Sequence, residues 1–151
     1  MLMNIDPLLT PELLYVLAAM GHGDELAICD VNFPAESVAR TTDYGKVVRL
    51  AGVNAPRAAR AILSVLPLDD FVESPVTRIE VEGSPDEFPL VQKEMQAETD
   101  RAAGRSLPMT GLERFAYYEA ARHTFAVVAT DERRFWGCFI FKKGVIPPSA
   151  D

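Results

Sequence analysis

Apolar and polar residues are arranged along the chain with two distinct periodicities. Apolar residues three and four positions apart come after Thr10 and Pro11, and this spacing predicts an amphipathic helix with Thr10 as its cap. Gly21 is expected to end that helix in a left-handed conformation. The unbroken apolar run at 26–29 then predicts a buried strand.

The same two periodicities recur to the end of the chain. Further helices are predicted at 35–40, 54–66, 89–103 and 113–123, and further strands at 46–50, 76–81, 125–129 and 137–141. Strict alternation predicts that the strand at 76–81 is half exposed, and residues 105–110 are expected to form a loop. The last two strands are expected to pair as an antiparallel hairpin. Strands that alternate with helices indicate an α/β fold, here a three-layer α/β/α arrangement with a mainly parallel mixed sheet.

The length of the chain sets the number of domains. The 151 residues are enough for one hydrophobic core, and no repeat or linker divides them. We therefore expect a single domain over residues 1–151, with a mobile tail at 146–151.

Composition narrows the range of functions. Hydrophobic residues make up 48% of the chain and charged ones 25%, which is typical of a soluble globular protein. A net charge of −7 repels a phosphate backbone, so no nucleic-acid partner is expected. No apolar run reaches the roughly 18 to 20 residues of a membrane span. The first residues lack the basic start of a secretory signal, and we expect a cytoplasmic protein that does not bind a membrane.

The cysteines and histidines do not indicate a metal site. Cys29 and Cys138 lie in apolar, strand-like surroundings, which favours buried, reduced thiols. Together with His22 and His123 they match no compact zinc pattern, so neither a metal nor a cofactor is expected. His123 lies near the end of a predicted helix, where a cation suits the helix dipole, and we interpret it as structural.

Candidate chemistry is concentrated around the first predicted strand. His22 lies between two glycines just before this strand, and Asp30 directly follows it, at the end where α/β sheets bind ligands. We expect the imidazole and the carboxylate to converge on one pocket. Two simpler interpretations remain open, His22 as a cation at a helix end and Asp30 as a turn former. The neighbouring acids Asp69 and Asp70 are expected to lie in a solvated loop.

Several short segments, spaced along nearly the whole chain, resemble one known family. They are Pro11-Glu-Leu-Leu14, Met20-Gly-His-Gly-Asp-Glu25, Asn32-Phe-Pro-Ala35, Leu66-Pro-Leu-Asp69, Arg114-Phe-Ala-Tyr-Tyr-Glu119, Phe125-Ala-Val-Val128 and Lys142-Lys-Gly-Val145. In this order they are similar to the L-fucose mutarotase and D-ribose pyranase family (RbsD/FucU), and closer to its fucose mutarotase branch. Several matches in the right order are more specific than any one of them.

The resemblance implies roles for individual residues. His22 matches the catalytic acid/base of the family, Asp30 matches the aspartate that holds the sugar, and Arg114 matches its substrate-binding arginine. From the sequence alone, Arg114 also suits a surface salt bridge to Glu113 or Glu119.

One part of the family's sugar site differs in this chain. Where the family has Tyr-Gly-Asn before the last strand, this chain has Trp136, Gly137 and Cys138. The indole keeps an aromatic face for a sugar ring but donates a hydrogen bond without accepting one, and the cysteine removes an amide. Tyr117 and Tyr118 each offer a phenol to the sugar site. Of the two, Tyr118 is the candidate for contacting the substrate or for supporting a residue that does. The preferred sugar is the property that these changes are expected to affect.

The implied activity is isomerisation of a reducing sugar between its α and β anomers, with L-fucose as the expected substrate. Ring opening and closure need only proton transfers, which suit an imidazole with an ordinary pKa of about 6.5. The resemblance also implies a ring-shaped homo-oligomer, commonly a decamer, with sites near the subunit boundaries. Two alternatives remain, a ribose-type pyranase acting on another monosaccharide, and a sugar-binding or regulatory module without turnover.

Overall fold

The computed structural model describes residues 1–149, and this part of the chain contains five helices and six strands. The helices are α1 (Pro11–Ala19), α2 (Ala35–Ala39), α3 (Ala55–Leu63), α4 (Leu90–Ala103) and α5 (Arg114–Arg122). The strands are β1 (Glu25–Cys29), β2 (Val47–Leu50), β3 (Val76–Ile79), β4 (Met109–Leu112), β5 (Ala126–Thr130) and β6 (Phe139–Lys142). Of the predicted mobile tail, residues 146–149 are exposed and without regular secondary structure, and 150–151 lie outside the described residues.

The first helix begins as its sequence predicts and ends differently. The Thr10 hydroxyl accepts a hydrogen bond from the amide of Leu13 at 3.2 Å, which confirms Thr10 as the cap. At the other end, Met20 leaves the helix in an extended conformation, so the prediction that Gly21 ends it in a left-handed conformation is wrong. The positive φ, 84°, belongs to Gly23, because the sharp change of direction falls in the turn before β1.

The six strands form one mixed sheet in the order β2-β5-β1-β6-β3-β4. β6 runs antiparallel to both of its neighbours, β1 and β3, and the remaining pairs are parallel. The mainly parallel mixed sheet is therefore confirmed. The predicted hairpin is wrong, because β1 lies between β5 and β6 and pairs with both of them.

The region around β3 departs from its predicted pattern. β3 ends at Ile79, and Arg78 is buried instead of exposed, because α4 and the segment before it cover this part of the sheet. The Arg78 guanidinium stacks over the Phe88 ring with its central carbon 4.0 Å from the ring centroid, and it also donates to the carbonyl of Pro85. The predicted loop at 105–110 ends in the edge strand β4, which is only partly buried and therefore lacks a continuous apolar run.

Helices cover both faces of the sheet, which confirms the three-layer arrangement. One apolar cluster packs α1, α3 and α4 against one face, with Leu13, Ile62 and Met95 fully buried. A second cluster packs α2 and α5 against the other face, around Val38 and Tyr117. No helix within residues 1–149 is long and apolar enough to cross a bilayer.

The topology places functional candidates at two opposite edges of the sheet, the one where β1 begins and the one where β1 ends. Asp30 follows the C-terminal end of β1, and Arg114 follows β4, which runs in the same direction as β3. Trp136 comes just before β6, which runs in the opposite direction, so its N-terminal end lies at this same edge. His22 comes before β1 and therefore lies at the other edge.

Candidate functional site

A small cavity at the C-terminal edge of β1 brings together most of the predicted sugar-contacting residues. It has a volume of about 120 Å³. Its lining consists of Asp30, Asn32, Phe33, Ile79, Arg114, Tyr118, Phe135, Trp136 and Cys138. Charged and polar groups thus meet aromatic faces in a concave site, which is the arrangement that binds small polar molecules.

Asp30 is both a wall of this cavity and the organiser of its backbone. Its Oδ1 accepts hydrogen bonds from the amides of Asn32 at 3.0 Å and Phe33 at 3.1 Å, and its Oδ2 accepts one from the amide of Gly137 at 3.3 Å. Burial raises the pKa of Asp30 above its ordinary value, and these amides offset only part of that shift. Asp30 therefore forms the turn after β1 and also lines the cavity.

The segment that carries Trp136 is tightly constrained. Trp136 has a φ of 65°, which for a residue other than glycine costs on the order of 1–3 kcal/mol and persists only where surrounding contacts hold it. Gly137 has no space for a side chain, since a Cβ there would lie 2.8 Å from the Cγ of Glu132. Its amide donates a hydrogen bond to Asp30. In this structure Gly137 therefore shapes the cavity wall that Trp136 and Cys138 complete.

Arg114, the first residue of α5, presents hydrogen-bond donors to the cavity. Its Nη2 lies 3.6 Å from the Oε1 of Glu82, and its guanidinium lies over the Phe115 ring. The Nε is buried and has no hydrogen-bond partner within the described residues. Neither acid that the sequence suggested for a salt bridge takes that role, because Glu113 caps α5 and Glu119 pairs with residues at the other end of the helix.

The two adjacent tyrosines of α5 have different environments. Tyr117 is fully buried, and its hydroxyl donates to the carbonyl of Phe139 at 2.9 Å. Tyr118 is partly exposed and lines the cavity, where burial raises the pKa of its phenol. The buried stripe of α5 runs through Tyr117 and Ala121, while Phe115 is exposed. Tyr118 is therefore the phenol that can reach a ligand.

His22 lies away from this cavity, at the opposite edge of the sheet. β1 separates His22 from Asp30, and at about 3.3 Å per residue the stretch from Glu25 to Asp30 alone spans roughly 16 Å. The expectation that His22 and Asp30 converge on one pocket within a single chain is therefore wrong. The reason is that the strand between them runs straight from one edge to the other.

Asp69 holds the His22 ring in place. The Nε2 of His22 lies 3.2 Å from the Oδ1 of Asp69, and the ring of Phe71 packs edge-on against the imidazole at 5.3 Å between centroids. Asp69 also accepts the amide of Phe71 at 3.1 Å, and its own amide donates to the carbonyl of Lys142. The contacts of His22 join the loop between α1 and β1 to the loop between α3 and β3, which carries Asp69 and Phe71. The imidazole side chain remains 44% exposed.

The burial of Asp69 is a correction to the sequence analysis. Asp69 is only 3% exposed, whereas Asp70 is exposed as expected of a loop residue. Burial by itself raises the pKa of Asp69, but hydrogen bonds from Phe71 and His22 outweigh it and leave the pKa below its ordinary value. One feature of the sequence could have indicated this role. Asp69 lies two residues before Phe71, the spacing at which an aspartate side chain accepts a hydrogen bond from the backbone of its own turn.

The described residues contain no cluster suited to a metal ion. Within residues 1–149, no group of three or more His, Cys, Asp and Glu side chains is arranged to hold one. Cys29 and Cys138 are free and buried, and burial raises the pKa of both thiols. The polar side chains found at the two edges of the sheet carry imidazole, carboxylate, guanidinium and phenol groups.

Comparison with known proteins gives a consistent result. The model of the RbsD / FucU transport protein family matches residues 3–146. The fucose mutarotase of Danio rerio is 45% identical over 97% of this chain and 95% of its own length. The crystal structure of protein Atu2016 is 55% identical and superposes with a TM-score of 0.95, covering 97% of both chains. The fucose mutarotase of Streptococcus pneumoniae, solved in complex with L-fucose, is 34% identical with a TM-score of 0.86, covering 97% of this chain and 100% of that one.

Proposed function

The chain belongs to the RbsD / FucU family, and from this membership we propose that it is a sugar mutarotase that interconverts the α and β anomers of L-fucose. The observation that carries the proposal is the cavity formed by Asp30, Arg114, Tyr118 and Trp136, in a chain similar to a fucose mutarotase solved with L-fucose. The cavity combines hydrogen-bonding groups with aromatic walls, as a monosaccharide requires.

The reaction needs proton transfer and positioning. The anomeric hydroxyl loses a proton while the ring oxygen gains one, the ring opens to the aldehyde, and rotation before closure gives the other anomer. An imidazole suits both directions because it gives and takes protons near neutral pH. With its Nε2 on Asp69, His22 has Nδ1 for exchanging a proton with the sugar, and the ionised carboxylate stabilises the imidazolium that forms.

The cavity residues supply recognition of the sugar. Arg114 offers a planar set of donors to hydroxyl oxygens, including the buried Nε. Asp30 accepts from a sugar hydroxyl in addition to its backbone amides, since a carboxylate has about four acceptor positions. The Trp136 ring stacks on the apolar face of the pyranose, and Tyr118 contributes a hydroxyl that both donates and accepts.

A complete site requires two copies of the chain. Within one copy, His22 and the sugar cavity lie at opposite edges of the sheet, so a second copy has to bring its His22 to the cavity of the first. Large exposed apolar side chains lie at both edges, with Phe71 71% exposed beside His22 and Phe135 72% exposed beside the cavity.

Such a head-to-tail contact joins two different surfaces, and it continues from copy to copy until it closes into a ring. We therefore propose a ring-shaped homo-oligomer with its sugar sites between neighbouring subunits. Ten subunits is the number implied by the family resemblance. The buried free thiols of Cys29 and Cys138 support a reducing compartment, and we place the ring in the cytoplasm.

NMR saturation transfer between the α and β anomeric protons of L-fucose tests the proposed activity. Wild-type protein is expected to accelerate exchange, and His22→Ala is expected to lose about 100- to 10,000-fold of that acceleration, the range of general acid/base catalysis. The matched control is His123→Ala, which removes the other histidine, an exposed side chain bonded to Glu119. Equal exchange by wild type and His22→Ala would contradict the role of His22.

The altered cavity wall favours a second candidate, a pyranase that acts on another monosaccharide such as ribose. Trp136 cannot accept a hydrogen bond, and the Cys138 side chain is almost fully buried. Exchange rates measured over a panel of L-fucose, D-ribose and D-galactose separate the two functions. L-fucose is expected to be fastest, and faster exchange of ribose would favour the pyranase.

A further inference from the structure

The peptide unit between Trp136 and Gly137 is held from both sides. Its carbonyl oxygen, on Trp136, accepts a hydrogen bond from the Nε2 of Gln92 at 3.0 Å. Its N–H, on Gly137, donates to the Oδ2 of Asp30 at 3.3 Å. This peptide is bonded directly to the Cα that carries the indole of Trp136, a residue with a φ of 65°. Gln92 and Asp30 therefore hold the peptide unit next to the indole from its two polar ends.

The orientation of the Gln92 amide is fixed by its other contacts. Gln92 lies in α4 and is fully buried. Its Nε2 also donates to the carbonyl of Ile79 at 2.8 Å, and its Oε1 accepts from the Nη1 of Arg78 at 3.3 Å. Because Arg78 can only donate, the amide oxygen has to face it, and the NH₂ group has to face the two carbonyls.

Both of those carbonyls belong to residues that line the cavity. Ile79 is the last residue of β3, and Trp136 lies in the connection that leads into β6. A buried NH₂ group needs an acceptor for each of its two N–H groups, and for Gln92 both acceptors belong to residues of the same site. The Gln92 amide thus links two segments that line the cavity.

We propose that Gln92 is a positioning residue that clamps the Trp136–Gly137 peptide and thereby sets the affinity of the cavity for its sugar. Gln92 does not line the cavity and acts through Trp136. The sugar-binding part of this inference rests on the proposed mutarotase function, while the clamp itself is a property of the folded chain.

Trp136 is the single tryptophan of the chain, so its fluorescence reports on the clamp directly. The main variant is Gln92→Met, which keeps the size of the side chain and removes its hydrogen bonds. A second variant, Gln92→Glu, keeps an acceptor for Arg78 but lacks the two donors, and it serves if the methionine variant does not fold. The matched control is Thr99→Val, which alters another fully buried polar residue of α4. Among residues 1–149, the Thr99 hydroxyl bonds only to the Gln96 carbonyl of the same helix.

The clamp predicts a specific pattern of results. In the Gln92 variants, the emission maximum of Trp136 shifts and its quenching by acrylamide increases without any sugar present. The KM for L-fucose rises about five- to tenfold, as expected from the loss of about one hydrogen bond, while kcat stays within about twofold. Thr99→Val changes none of these quantities.

Two results would overturn the clamp. One is unchanged emission and quenching of Trp136 in a folded Gln92 variant, and the other is a KM that rises equally in Thr99→Val. If the wild-type protein does not exchange L-fucose, the proposed function fails on its own. In that case, emission that shifts in the Gln92 variants and not in Thr99→Val still supports the clamp.

Discussion

At the scale of single residues, the environment of His22 suits the proton transfer that we propose for it. The Nε2 atom lies within hydrogen-bonding distance of Asp69, and the Phe71 ring packs perpendicular to the imidazole. An imidazole on a turn between two glycines would otherwise have free choice of rotamer and tautomer. The buried carboxylate removes much of that freedom before the sugar arrives, which is the advantage of a preorganised group.

Asp69→Asn is therefore expected to slow the exchange of L-fucose anomers by about 10- to 100-fold, since a hydrogen bond to an ionised group contributes about 1.5–3 kcal/mol. The amide keeps the size of the side chain but does not carry the charge that stabilises the imidazolium. Saturation transfer measures the loss. Asp70→Asn removes the adjacent exposed carboxylate and should leave the rate unchanged. Equal losses in both variants would show that general loop charge, and not the His22 contact, accounts for the effect.

Individual residues were predictable from the sequence to different degrees. The resemblance indicated Asp30, Arg114 and Trp136, and the structure brings all three to one cavity. The link between Asp69 and His22 was not predictable, because it joins two loops far apart in the chain that meet only when β6 pairs beside β1. An acid next to another acid is the ordinary pattern of an exposed loop, and only tertiary structure distinguishes Asp69 from Asp70.

At the scale of elements, the connection between β5 and β6 carries the wall of the site and is held by a buried acid. Glu132 accepts three hydrogen bonds from Arg134, one from its amide and two from its guanidinium. Its Oε2 also accepts the first amide of α3, from Ala55, at 3.3 Å. Arg134 in turn reaches Glu94 of α4. The network fastens the connection to two helices on the same face of the sheet.

Glu132→Gln is expected to lower the free energy of unfolding by about 1–3 kcal/mol at pH 7, because a buried group loses its charge-assisted bonds. Burial raises the pKa of Glu132, but the bonds and charge of Arg134 outweigh it and leave the pKa below the ordinary value of about 4.5. The unfolded chain thus binds the proton more tightly than the folded one. The contribution of the ionised group is therefore complete above pH 4.5 and is lost as the pH falls through the lower, folded pKa.

Chemical denaturation measured from pH 7 to pH 3 tests this dependence. The stability difference between wild type and Glu132→Gln should be constant above pH 5 and shrink below about pH 4.5. Glu94→Gln, which alters the more exposed partner of Arg134, should cost less than about 1 kcal/mol. A difference that stays constant down to pH 3 would show that Glu132 does not act through its charge.

Elements with strong local signals were predictable, and those defined by pairing were not. The start of α1 and the end of α4 at Gly104 follow from capping chemistry, which is local. β4 escaped prediction because an edge strand of four residues that contains Gly111 has no distinctive apolar pattern. The partner of β6 was misjudged because nearness along the chain favoured β5, whereas β1 occupies the position between them.

At the scale of the whole molecule, the sheet separates the two halves of the chemistry. One edge carries His22, the proposed proton-transfer group, and the other carries the proposed sugar cavity, with the length of β1 between them. The sequence places His22 and Asp30 only eight positions apart, and this proximity suggested a single pocket. In an extended strand, residues close in sequence lie far apart, so the site that we propose is complete only where one copy of the chain faces another.

The most direct test of this account is subunit complementation between two inactive variants. His22→Ala removes the proposed proton-transfer group from one edge of the sheet. Arg114→Ala removes a proposed sugar-binding side chain from the other edge. Each is expected to be inactive by saturation transfer with L-fucose. The two chains are co-expressed with different tags, and mixed oligomers are isolated by two successive affinity steps.

In a mixed ring, an intact site needs the His22 edge of one variant and the cavity of the other. Random head-to-tail assembly gives this combination at about one quarter of the sites, one half multiplied by one half. The account predicts that mixed oligomers recover roughly that fraction of wild-type exchange. Mixed oligomers no more active than either variant alone would contradict a site shared between neighbouring copies.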